Sequence, residues 1–216
     1  MDNWKPSAYT LPLSEDFVTD GDKIINIVEA LWKLPEKNDQ ILKLTDWQKW
    51  LIRAALERYP EGHRLAGRLR YKQVVISMPR KNGKSLLGAI LALYGMLLHE
   101  PAPEVISVAA SADQAKIVYR RLKHQVDSSE LLGHFFTRST EHRGLYTKDE
   151  QGIYKVIAAN AATAQGLHPS LVIFDELHVA KEDVWTAMAL GSATRPDGLT
   201  IGITTAGDDT SELLKH

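Results

Sequence analysis

The stretch VVISMPRKNGKSLLG, residues 74–88, constrains this chain more than any other. An apolar run ends in a basic turn that contains one glycine, and a second, longer apolar run begins at once. That succession fits a buried strand whose loop feeds the start of a helix, where unpaired amides and the helix dipole favour an anion. The usual phosphate loop reads G-x-x-x-x-G-K-[ST]. Gly83, Lys84 and Ser85 satisfy its end, while Met78 stands where the first glycine belongs. Gly83 permits close backbone approach, Lys84 can reach β and γ phosphates, and Ser85 offers a hydroxyl to Mg²⁺. The competing reading is a chance G-K-S in a basic turn, and the strand before and helix after it favour the phosphate loop.

The rest of the chain supplies a matching frame. Apolar runs at 73–77, 105–110, 154–159, 171–174 and 199–205 predict strands, nearly all apolar as strands covered on both faces must be. Helical patterns at 84–99, 112–126 and 181–190 lie between several of them. The alternation predicts an α/β fold of the P-loop NTPase kind, with an open, mainly parallel sheet flanked by helices. Residues 1–20 read as an extended arm, followed by amphipathic helices over 22–34 and 45–59. We therefore expect an N-terminal arm and helix, 1–43, packed on an ATPase core, 44–216.

Composition narrows the chemistry. With 216 residues and 44% apolar content the chain can build one substantial core. No cysteine is present, which excludes disulfides, thiolate zinc sites and cysteine nucleophiles and favours an intracellular setting. The start of the chain lacks the order of a signal peptide, and the longest apolar run, Leu86 to Leu98, is too short to span a bilayer, so no membrane partner is expected. A formal charge of −1 argues against a uniformly basic nucleic-acid coat. The basic stretches 64–72 and 120–124 read first as solvated faces, with DNA contact as the alternative.

Far downstream, LVIFDELH (171–178) sets Asp175 and Glu176 after four apolar residues. An aspartate closing a buried strand beside a phosphate loop can hold Mg²⁺ through water, and the adjacent glutamate can polarise an attacking water. Alone the pair could be an acidic turn before a helix. Together with the phosphate loop it defines a nucleotide site, and the strand at 105–110 suggests the P-loop class with an added strand and a catalytic glutamate.

In order, PRKNGKS (79–85), SADQA (111–115), GLHPSLVIFDELH (166–178) and TIGITTAG (200–207) resemble the large terminase subunit, the DNA-packaging motor of tailed phages. The resemblance covers about residues 44 to 210 and makes Met78 a family variation. It implies that Pro79, Arg80, Lys81, Asn82, Gly83, Lys84 and Ser85 bind ATP, with Arg80 over the phosphates. It also implies Mg²⁺ at Ser85 and Asp175, and water activation by Glu176. Thr204, Thr205, Ala206 and Gly207 would form the coupling motif that senses loss of the γ-phosphate. Gln48 resembles the glutamine that reads adenine, yet Thr45 and Gln48 also fit a helix capping box, and both readings stand. Where many terminases have Arg-Gly before the acidic strand this chain has Gln165-Gly166, leaving Arg138, Arg143 and Arg195 as candidate arginine fingers.

The implied partners are double-stranded DNA, a portal protein, a small terminase subunit and further copies of the chain in a ring, in the cytoplasm of an infected bacterium. The nuclease domain of terminases is not expected within these residues. Two alternatives are a DExH-type helicase motor, which DELH and the Ser192-Ala193-Thr194 triplet would fit, and a nucleotide-gated assembly protein. The triplet follows a helical run instead of ending a strand, which disfavours the helicase.

Overall fold

The computed structural model describes residues 6–109, 111–137, 144–159, 164 and 166–205, with the backbone alone at 112, 113 and 115. They divide between two compact units, Met1–Tyr71 and Lys72–His216.

In the first unit, α1 (Gly21–Leu31) and α2 (Asp46–Ala55) flank a two-stranded antiparallel pair, β1 (Lys33–Leu34) and β2 (Gln40–Ile41). Both helices end before the sequence pattern does. The backbone of Lys33–Leu34 pairs with Gln40–Ile41, and Glu57 and Arg58 leave α2 to bridge Thr19 and Leu69. Strand pairing, a local hairpin after α1 and more distant bridges after α2, thus overrides helical spacing at both ends. The Glu57 carboxylate, 1% exposed, accepts from the amide of Leu13, from Arg70 and from the Tyr71 hydroxyl, so the arm is fastened at Leu13.

The second unit is a seven-stranded sheet in the order β3-β9-β8-β4-β7-β6-β5. Its strands are β3 (Gln73–Ser77), β4 (Glu104–Ala109), β5 (Phe136–Thr137), β6 (Leu145–Thr147), β7 (Ile153–Ala158), β8 (Leu171–Asp175) and β9 (Leu199–Thr204). From β3 to β7 every pairing is parallel, and β6 and β5 add an antiparallel margin. The strand that separates the phosphate-loop strand from the acidic strand is β9, while β4 lies beyond β8. The added strand is therefore the one that ends in the Thr204-Thr205 motif. At the sheet margin β3 is not covered on both faces, and Val75 is 55% exposed.

Helices lie on both sides because successive strand residues face opposite ways. Val172 and Phe174 join Ile106 and Val108 in a core with Val184 and Met188 of α6 (Glu182–Ala193). Leu171 and Ile173 point the other way, under α3 (Lys84–Tyr94) and its π-helical extension Gly95–His99. On that side α4 (Ala112–Ser128) brings Val118 against α3, and α5 (Glu130–Phe135) follows it. By the same alternation Asp175, two residues after Ile173, is directed to the side where α3 begins. Among the described residues no helix is long and apolar enough to cross a membrane.

Close helix-to-sheet packing makes two glycines of one helix differ. A Cβ at Gly95 would stand 2.6 Å from a Leu171 methyl and 2.8 Å from a Val105 methyl, whereas at Gly88 the nearest atoms are Val118 methyls at 3.5 and 3.6 Å. Gly95→Ala is expected to lower unfolding free energy by about 1–3 kcal/mol through overpacking. Gly88→Ala should be neutral or stabilising by up to about 1 kcal/mol through helix propensity. Urea titration of the two variants checks the contrast.

Candidate active site

The carboxyl ends of β3, β9 and β8 bring three distant segments together. The phosphate loop leaves β3 at Ser77, and its first residue is tied at once to the neighbouring strand, Met78 donating its amide to the Thr204 carbonyl at 3.0 Å. Met78 is 7% exposed and is not among the residues with positive φ, so an L side chain is accommodated where glycine is usual. The left-handed positions are Lys81, φ 69°, and Gly83, φ 81° and ψ 26°, which makes the turn into α3. No side chain caps that helix start, so its first amides face the loop's concavity. Pro79, Arg80, Lys81 and Asn82 are exposed around it.

Lys84 is buried, 9% exposed, and its Nζ lies 2.6 Å from Glu176 Oε1. Beside this pair Ser85 Oγ donates to Asp175 Oδ2 at 3.4 Å. Burial, then the charge of Glu176, pushes the Asp175 carboxyl above its ordinary range, against the opposing pull of Lys84 and the Ser85 hydroxyl. Asp175 Oδ1 and Glu176 Oε2 are buried without a hydrogen-bond donor. Two under-satisfied acidic oxygens next to a hydroxyl are a donor set suited to a hydrated divalent cation. Mg²⁺ typically takes only one or two protein carboxylates and keeps waters.

Glu176 itself sits in the left-handed region, φ 62° and ψ 57°, a conformation costing about 1–3 kcal/mol that is typical of functional positions. It leads into the short turn Leu177–Val179, whose Leu177 fits over Gly202. His178 follows, with its amide donating to Thr204 Oγ1 at 3.1 Å and its Nδ1 3.0 Å from the same oxygen and 3.3 Å from Glu176 Oε2. The last contact is close enough for electrostatic attraction but not aligned as a hydrogen bond, which is why Oε2 counts as unsatisfied. Arg80, Lys81, Lys84, Gln114, Glu176 and His178 line a cavity of about 360 Å³. A larger groove of about 1020 Å³ runs along α6, past Leu190 and Thr194, but it contains neither Lys84 nor the paired acids. Chemistry, more than volume, marks the smaller one as the active-site candidate.

Other predicted residues fall elsewhere. Arg195 donates to the carbonyls of His168 and Ala102 and pairs with Glu100, all near the amino ends of β8 and β4, opposite the phosphate loop. Arg138, Arg143, Gln165, Ala206 and Gly207 lie outside the described residues. Ser192 and Ala193 close α6 and Thr194 caps it, so the helicase-like triplet does not end a strand. Gln48 belongs to the first unit, where its Oε1 accepts from the Thr45 amide at 3.0 Å at the start of α2. Two cavity residues were not assigned roles from sequence, Gln114 and His178. The placing of Gln114 in the first turn after β4, where SADQA follows the strand, was the available signal for it.

A phosphate loop, an acidic strand and one interposed parallel strand define a P-loop ATPase of the added-strand class. Residues 53–216 match the family of terminase large subunit ATPase domains, and the chain belongs to that family. It is 29% identical over 145 residues to the terminase large subunit of Lactococcus phage p2, covering 62% of this chain and 26% of that protein. Its fold is similar to the crystal structure of the HK97 bacteriophage large terminase, with a TM-score of 0.75, 25% identity, and coverage of 92% of this chain and 40% of the other. A mutant of the Thermus phage P74-26 large terminase ATPase domain shares the fold, with a TM-score of 0.62, 18% identity, and coverage of 87% and 70%. The chain thus spans about a quarter of the length of the p2 relative.

The Gln48 geometry separates its two readings. Gln48→Glu keeps the acceptor for the Thr45 amide and should leave stability unchanged, whereas Gln48→Ala should lose about 1 kcal/mol with the cap. Thermal unfolding reads the cap alone, so a loss of nucleotide affinity in Gln48→Glu, which keeps the cap, reports on the amide nitrogen that the cap does not use.

Proposed function

We propose that this chain is the ATP-hydrolysing module of a motor that drives double-stranded DNA into a phage procapsid. The observation that carries the reading is the part-buried Lys84–Glu176 pair with Asp175 and Ser85 beside it, in a chain of the terminase ATPase family. Lys84 and the uncapped start of α3 bind the β and γ phosphates of ATP, and Arg80 lies over them from the exposed side of the loop. Ser85 and Asp175 would hold Mg²⁺, which would supply charge neutralisation at the phosphate oxygens. Once Lys84 has turned to phosphate, Glu176 is free to accept a hydrogen bond from a water and draw its proton as that water's oxygen attacks the γ-phosphorus. The bond to the β-phosphate oxygen breaks, leaving ADP and phosphate.

Thr204 and Thr205 begin the segment that passes the loss of the γ-phosphate to a DNA-gripping surface, and the family supports a ring of such subunits on a portal, with a small terminase subunit, in the infected host's cytoplasm. Nuclease action is not assigned to these residues. A gate that binds ATP without needing turnover would use the same phosphate contacts but not Glu176, so turnover distinguishes the two.

Lys84→Ala is expected to abolish nucleotide binding by calorimetry, and retained affinity would count against the phosphate site. Glu176→Gln should still bind ATP while phosphate release at saturating ATP falls by about 10²–10⁴-fold, the scale of a lost general base. Unchanged turnover in that variant would exclude both the catalytic role and the motor.

A further inference from the structure

Thr204 joins three motifs that lie far apart in sequence. Its carbonyl receives the Met78 amide of the phosphate loop, and its hydroxyl meets both the amide and the ring of His178. The hydroxyl also donates to the carbonyl of Thr205 at 2.8 Å. Thr204 is fully buried and Thr205 is 7% exposed, so these bonds are shielded from water.

Proton accounting assigns the histidine tautomer. A threonine hydroxyl has one hydrogen and two lone pairs. With the hydrogen assigned to the Thr205 carbonyl and one lone pair to the His178 amide, the ring nitrogen 3.0 Å away is the donor to the other lone pair. This assignment places the His178 proton on Nδ1. The same N–H stands 3.3 Å from Glu176 Oε2, and the other oxygen of that carboxylate is held by Lys84 at 2.6 Å. One N–H thus meets the end of the strand and stands near, without a hydrogen bond, the acid that would activate water.

We propose that His178 is a positioning residue that reports occupancy of the phosphate site to the end of β9. The proposal rests on the nucleotide reading of the site given above. Without nucleotide, Lys84 neutralises Glu176, and the His178 Nδ1–H favours Thr204. When phosphates take Lys84, Glu176 loses its cation, and its uncompensated charge draws the Nδ1–H, because a bond to a carboxylate is roughly twice as strong as one to a neutral hydroxyl. Thr204 then keeps only the His178 amide and its own bond to Thr205, and the last turn of the β9 exit loosens. The ring acts through Glu176 and Thr204 and need not touch the reacting atoms.

Amide hydrogen exchange with and without a non-hydrolysable ATP analogue and Mg²⁺ tests this on the whole chain. In the wild-type protein the analogue should speed exchange of the peptides covering 176–181 and 199–205 by about three- to tenfold, the protection one such hydrogen bond confers. His178→Ala should bind the analogue yet lose that response, and His178→Asn, whose side-chain amide can replace Nδ1–H, should restore it. A response that persists in His178→Ala, or that is lost and not restored by asparagine, overturns the relay. Thr204→Val against Thr204→Ser provides a second route if the alanine variant does not fold: valine should abolish the response and serine keep it, and the reverse contradicts the proposal. Failure of the wild-type protein to bind the analogue would instead sink the nucleotide reading, whereas binding without any response at 199–205 would sink the relay alone.

Discussion

The contact on which the active site depends is the part-buried ion pair between Lys84 and Glu176, residues 92 positions apart. It forms only if β3, β9 and β8 lie side by side in register, with the helix start and the acidic turn at the same end of the sheet. Such a pair is weak evidence for stability, since desolvating two charges roughly cancels their attraction. Its value is as a placeholder. In the function proposed above, Lys84 would exchange its carboxylate partner for the several charged oxygens of a polyphosphate, and Glu176 would be left to activate water.

Strain and close packing gather around the same point. Glu176 is held at positive φ, and Gly202 on β9 makes room for Leu177 immediately after it, a Cβ there standing 2.5 Å from the leucine methyl. The residue that follows, His178, is thereby turned toward Thr204. Met78 closes the arrangement from the loop side through its amide, while its buried side chain replaces the flexibility of a glycine with packing. In the proposed function a change at the phosphates would be felt first by these short, mutually constrained turns, because β8 and β9 behind them are buried along their whole length.

Much of this was legible in the sequence because it is local. The strands at 73–77, 171–175 and 199–204 and the helix beginning at Lys84 follow from runs of apolar residues and from glycine placement. Spatial order was not, since nothing local tells that β9 slips between β3 and β8; only non-local pairing decides it. The two- and three-residue strands β5 and β6 carry no period long enough to read, and both N-terminal helices stop early because strand pairing, local after α1 and distant after α2, claims their ends. The contacts of His178 were not legible because they depend on a hydroxyl 26 positions away. Arg195 looked available as a finger until the Glu100, Ala102 and His168 partners at the opposite end of the strands were placed around it.

The most direct test of this account is a crystal structure of the chain with a non-hydrolysable ATP analogue and Mg²⁺ bound. The account predicts that Lys84 Nζ leaves the position 2.6 Å from Glu176 Oε1 and contacts β- and γ-phosphate oxygens, with the Glu176 carboxylate turned away from the lysine. An occupied phosphate site in which the Lys84–Glu176 pair is unchanged would contradict it.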